Sequence, residues 1–88
     1  MKLFFNKRFL KDPANIPKEY RVTIEKFVFE TLRNYKSLSE CNKTEKIKGF
    51  KNYYKIRFGN YRIGLKYEND TVTLERVLHR KDIYRFFP

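Results

Sequence analysis

Tyr53 to His79 reads YYKIRFGNYRIGLKYENDTVTLERVLH. Apolar residues recur there at every second position, the period of a strand with one face on a core. Tyr54, Ile56 and Phe58 alternate with Tyr53, Lys55 and Arg57. Tyr61, Ile63, Leu65 and Tyr67 alternate with Arg62, Gly64 and Lys66, and Val72, Leu74 and Leu78 share a parity with Arg76. Gly59-Asn60 is a two-residue hairpin signal, and Asn69-Asp70 is a second. The stretch predicts three antiparallel strands in a meander.

The first loop fixes a register. Phe58 faces Tyr61, Ile56 faces Ile63 and Tyr54 faces Leu65, so every core pair is apolar. The other face then follows, because the side-chain period is two. Arg57 lies opposite Arg62, at a cost of roughly 0.2–1 kcal/mol for facing like charges, and Lys55 lies opposite Gly64. Continued through Asn69-Asp70, the same counting sets Leu65 against Leu74 and Arg62 against Val77, with His79 ending the outer face. One side of the sheet is core, and the other collects Lys55, Arg57, Arg62, Lys66 and His79.

Upstream, Lys2–Asn6 (KLFFN) reads as a short strand, and Lys7–Asp12 as one or two helical turns stopped by Pro13. Pro17 opens a longer helix. Its stripe is Tyr20, Ile24, Phe27, Val28, Leu32 and Tyr35, with Phe29 at the margin. Ser37–Glu45 (SLSECNKTE) has neither period and reads as a connecting loop. The expected fold is α+β, in the order β-α-α-β-β-β, with an antiparallel sheet and the helices packed on one face. Residues 1–88 form one domain, since 88 residues do not hold a second full core.

Nine Phe and seven Tyr supply enough apolar area to exclude a disordered chain. Lysine and arginine total 21 against 10 acids, a net charge of +11 that calls for a polyanionic or acidic partner. The single Cys41 cannot form an internal disulfide and reads as a tolerated free thiol. No Cys/His set for a metal exists, and no apolar run reaches the length of a membrane span. The opening MKLFFNKRFLKD is too short and charged for a signal peptide, so a cytoplasmic protein without cofactor is expected.

Lys46 through Lys66 holds seven cations and no acid, a pattern suited to phosphate. Metal-assisted phosphodiester cleavage needs several carboxylates, and only Glu75 falls on the outer face. Metal-free RNA cleavage instead needs a base for the 2′-OH, cations for the phosphorane-like charge and a proton for the leaving 5′-oxygen. Lys55 among Arg57 and Arg62, or His79, is the candidate base. Tyr84, in the mixed cationic and aromatic tail, is a candidate stacking platform for an unpaired base. Ile83, Phe86 and Phe87 are expected to cap the core.

Lys46-Ile-Lys-Gly-Phe50, Tyr54-Lys-Ile-Arg57, Gly59-Asn-Tyr-Arg-Ile63 and Val77-Leu-His-Arg-Lys-Asp-Ile-Tyr84 together resemble the RelE/ParE toxin superfamily. The resemblance covers nearly the whole chain. It implies a β-α-α-β-β-β fold and the toxin half of a type II toxin–antitoxin pair. RelE-type members cleave mRNA in the ribosomal A site without metal, and ParE-type members inhibit DNA gyrase. By position, Lys55 and Arg57 resemble the paired basic residues of the family's second strand. Arg57 departs from the lysine often found there as base, and an arginine stays protonated, which leaves Lys55 or His79. Arg62 resembles the transition-state arginine, Arg80 the arginine on the phosphate or leaving group, and Tyr84 the tyrosine stacked on the substrate base. Lys46, Lys48, Lys51, Lys66 and Lys81 are the lysines expected to bind RNA. The implied partners are mRNA, the ribosome and a cognate antitoxin with an acidic or amphipathic segment. The alternatives are a gyrase inhibitor, or a remnant that only binds its antitoxin.

Overall fold

The computed structural model describes residues 1–88. Strand β1 (Lys2–Phe5) leads into α1 (Lys7–Lys11), whose cap is Asn6, with Oδ1 accepting from the Phe9 amide at 2.9 Å. Pro13 turns the chain through Asp12–Asn15, and α2 (Lys18–Lys26) follows. Beyond Lys26 the rod continues through a wide turn at Phe27–Thr31 and a tight one at Leu32–Asn34. Then come β2 (Thr44–Lys46), β3 (Tyr53–Phe58), β4 (Tyr61–Glu68), β5 (Thr71–His79) and the single turn α3 (Ile83–Phe86).

The α+β class and the meander are as expected, with two changes. The sheet is mixed, in the order β1-β5-β4-β3-β2, because β1 runs parallel to β5. The segment read as a loop also ends in an edge strand, with Glu45 opposite Lys55 and Lys46 opposite Tyr54. Three residues are too few to show a period, so only pairing reveals them.

On the helix side, Ile24, Val28 and Leu32 bury fully against Ile56, Ile63, Leu65, Val72, Leu74 and Val77. Cys41 is buried in the same core. Phe29, at the margin, is partly exposed and rests on Phe5, ring centroids 5.2 Å apart. Both loops close as two-residue turns. Asn69 and Asp70 are both left-handed (φ 53° and 58°), the pair of signs that matches strand twist, and short polar side chains tolerate it. At Gly59 (φ 55°) a Cβ would also stand 2.8 Å from the Tyr20 ring, so the turn needs glycine twice over.

The first hairpin has the expected register throughout, Arg57 against Arg62 included. The second has it only from Glu68–Thr71 to Leu65–Leu74. Gly64 then pairs Arg76, which leaves Glu75 as the extra residue of a β-bulge. Beyond it every parity reverses: Arg62 meets Leu78 rather than Val77, and His79 meets Tyr61 on the helix side. The bulge sits where β1 stops pairing. Asp12 takes over that edge, accepting from the Val77 amide at 2.9 Å and from Arg76 Nε and Nη2 at 2.9 and 3.1 Å.

The tail also departs from expectation. Ile83 and Phe87 do bury, but on the outer face, in a small second core with Ile47, Tyr53 and Leu78. Phe86 is half exposed and caps nothing. Helices therefore cover both sides of the sheet, and only part of the outer face is open.

Candidate functional site

The open part of the outer face is a groove of about 400 Å³ lined by Glu45, Lys55, Arg57, Arg62, Arg80, Lys81 and Tyr84. The sheet supplies its floor. Glu45, Lys55 and Gly64 form one cross-strand row, and Arg57 and Arg62 sit directly opposite each other in another. The turn after β5 supplies the wall, held by the Arg80 amide on the Asn60 carbonyl (2.7 Å) and the Asp82 amide on the His79 carbonyl (2.8 Å).

Electrostatics in the groove are strongly cationic. Burial, then Arg57, lower the Arg62 pKa from its ordinary value, Arg80 adds to this, and Glu45 opposes it. The Arg62 guanidinium stays charged and is held by the carbonyls of Gly59 (2.7 Å) and Tyr61 (2.9 Å). Those contacts fold it against the hairpin and fix its place beside Arg57. The Lys55 ammonium lies over the Tyr84 ring, 4.3 Å from its centroid. Tyr84 is otherwise 67% exposed, so it offers aromatic surface to an incoming base.

The groove thus gathers Lys55, Arg57, Arg62, Arg80, Tyr84 and Lys81 of the residues singled out in the sequence. It does not gather His79. That ring stacks edge-on to Tyr61 at 5.4 Å, its Nδ1 accepts from the Lys81 amide at 3.1 Å, and it lines a separate hollow with Asp12 and Asp82. The cause is the one-residue bulge. Lys46 is on the helix side as well, over the Tyr54 ring and bonded to the Phe50 carbonyl. Lys66 is on the outer face but pairs with Glu68 at 3.3 Å. Lys48 and Lys51 are exposed between β2 and β3, outside the groove. The Phe87 ring covers Gly64, so the sheet is closed off at that point of the row.

One groove residue escaped sequence reasoning. Glu45 is the only carboxylate in the lining, and it stands across from Lys55. Alternation within Thr44–Lys46, had that segment been read as a strand, is the signal that would have found it.

The chain is thus an α+β domain whose sheet carries a basic groove bordered by Tyr84. Residues 3–84 match the family described as the ParE toxin of type II toxin–antitoxin systems. The chain is 47% identical to Toxin RelE3 of Methanocaldococcus jannaschii over the full length of both. It superposes on a chain of the RelB-RelE antitoxin-toxin complex from Methanococcus jannaschii with a TM-score of 0.80 and 45% identity, covering 97% of this chain and 99% of that one. A mutant of the E. coli toxin RelE in the free state shares the fold, with a TM-score of 0.64 at 21% identity over 96% and 90% of the two chains. The chain belongs to the RelE/ParE superfamily and is a type II toxin.

Proposed function

We propose that this toxin is a metal-independent, ribosome-dependent mRNA endoribonuclease that stops translation, and that it is held inactive by a cognate antitoxin. The observation that carries the reading is the composition of the groove: five cations, one carboxylate and one exposed aromatic ring around a single cavity. Those are the parts that cleavage by a 2′-OH requires. Glu45 accepts the 2′-OH proton, the 2′-oxygen attacks phosphorus, and the bond to the 5′-oxygen breaks. Arg57, Arg62 and Arg80 face the charge that builds on the phosphate oxygens. Lys55 supplies the proton to the departing 5′-oxygen, and Tyr84 stacks on a base beside the scissile bond. With His79 on the other side of the sheet and Lys55 against an aromatic ring, the base is Glu45 rather than either of those two.

The antitoxin follows from the relatives, one of which was crystallised as a toxin with its antitoxin. A net charge of +11 suits an acidic segment in that partner. Lys48 and Lys51, exposed and unbonded to carboxylates, are available for it, whereas Lys46 spends its ammonium on backbone carbonyls.

The match to the ParE description favours a second reading, inhibition of DNA gyrase. Primer extension on translated mRNA after induction of the toxin tests the first. Cuts phased with codons and dependent on translation support the nuclease. Uncut message together with blocked supercoiling by purified gyrase would replace it with the second.

A further inference from the structure

Gly64 sits in mid-strand, where glycine weakens a sheet, and its backbone is not in the left-handed region that would require it. Its reason is overhead. A Cβ at this position would stand 2.7 Å from Phe87 Cδ2 and 2.8 Å from Cγ and Cε2, so the ring lies flat on bare backbone. Phe87 is 4% exposed, meets Tyr53 edge-on at 5.7 Å, and shares the small outer core with Ile47 and Ile83.

This contact sets the position of the groove wall. Helix α3 is four residues long, one turn, and such a helix has no stability of its own in water. It is fixed at its start by the turn after β5 and at its end by Phe87, whose amide bonds the Ile83 carbonyl at 2.9 Å. Tyr84 lies between these anchors and touches the sheet through Lys55, 4.3 Å from its ring. A cation over an exposed ring is too weak to place a one-turn helix, whereas a buried phenyl ring is not.

Resting on the nuclease reading above, we infer that Gly64 and Phe87 are positioning residues, a socket and plug that hold the Tyr84 ring over Lys55 at the distance needed to stack a substrate base. Gly64→Ala fills the socket and lifts the ring. Phe87→Ala removes the plug. Each lowers single-turnover cleavage on programmed ribosomes by about 100-fold, the scale of an ångström-sized misplacement, with the change in kcat. The double variant is no worse than Phe87→Ala alone, since both act through one contact. Phe87→Leu, a smaller plug, restores much of the activity lost in Phe87→Ala.

A second readout is independent of cleavage. In the wild-type toxin the Tyr84 ring shifts the Lys55 ε-methylene proton resonances upfield, and Gly64→Ala abolishes that shift while the amide pattern of the main core stays native. An unmoved Lys55 resonance in Gly64→Ala, or additive losses in the double variant, overturns the inference. Should Gly64→Ala not fold, the same resonance in Phe87→Leu and Phe87→Ala decides, a native shift in Phe87→Ala refuting the plug. A wild-type toxin that cleaves nothing yet loses the shift in Gly64→Ala refutes the nuclease reading and leaves the socket standing.

Discussion

Asp12→Ala is expected to cost about 3 kcal/mol, more than any surface change in this domain. The carboxylate accepts three hydrogen bonds, two from Arg76 at 2.9 and 3.1 Å and one from the Val77 amide at 2.9 Å. The pair is largely out of water, with side-chain exposures of 17% for Arg76 and 11% for Asp12, so solvent screening removes little of it. Removing one partner of such a pair leaves a guanidinium and a strand amide without acceptors, for which about 3–5 kcal/mol is typical. The residual exposure argues for the lower end. In a domain of this size that is a fall in Tm of roughly 12–24 °C. Asp12→Asn keeps an acceptor for the Val77 amide and loses about half as much. Asp12→Ala with Arg76→Met should be more stable than Asp12→Ala alone, because no charge is then stranded. Urea unfolding of the four proteins measures this. A loss under about 1 kcal/mol for Asp12→Ala would mean that the pair is solvated and that the edge of β5 is held by something else.

Glu45→Gln is nearly isosteric and removes the proposed base, so single-turnover cleavage should drop by about 100-fold or more with ribosome affinity kept; an undiminished rate moves the base elsewhere. Arg62→Ala should lower cleavage by about 100-fold or more, yet change stability by no more than about 1 kcal/mol. Its two bonds to the Gly59 and Tyr61 carbonyls are offset by relief of the facing Arg57, and a large loss in a thermal melt would make Arg62 structural instead. Burial raises the Glu75 pKa, with Lys66 opposing, so the native state holds that proton more tightly than the unfolded chain does. Glu75 therefore subtracts stability as pH rises above the ordinary glutamate range. Glu75→Gln should raise the urea midpoint at about pH 7 more than at about pH 4, and the reverse order would refute the sign. His79→Ala should leave cleavage within about threefold of wild type, since the ring lies outside the groove; loss of a neutral-pH limb of the rate profile would return His79 to the reaction.

Much of this was legible because alternation and turn chemistry are local. Tyr54 to Tyr67 gave the first hairpin pair by pair, including the two arginines face to face, and the i, i+4 stripe from Tyr20 to Leu32 gave the long helix. What stayed hidden depends on contacts distant in sequence. Nothing near Glu75 announces a bulge, because its occasion is Asp12, more than sixty residues upstream, taking the edge that β1 vacates. Glu45 was lost because a three-residue edge strand carries too little pattern. The parallel pairing of β1 is a matter of crossover geometry, and Lys2–Phe5 is too short to state it. Phe87 was read as apolar and buried, which is right, but no local rule tells which side of a sheet a tail will take.

The bulge at Glu75 works as a frameshift in the spatial reading of the chain. Up to Leu74 odd and even positions have one meaning, and from Arg76 onward they have the other. A chain lacking only Glu75 would keep every strand pair on both sides of the gap, and simple alternation would then give the correct face for all of them. Conversely, a residue inserted anywhere between Val77 and Arg80 would turn the groove wall toward the helices without altering a single groove side chain. The site is written in residue count as much as in residue identity. A relative lacking the residue equivalent to Leu78 should place a different side chain, that of His79, beside Arg62.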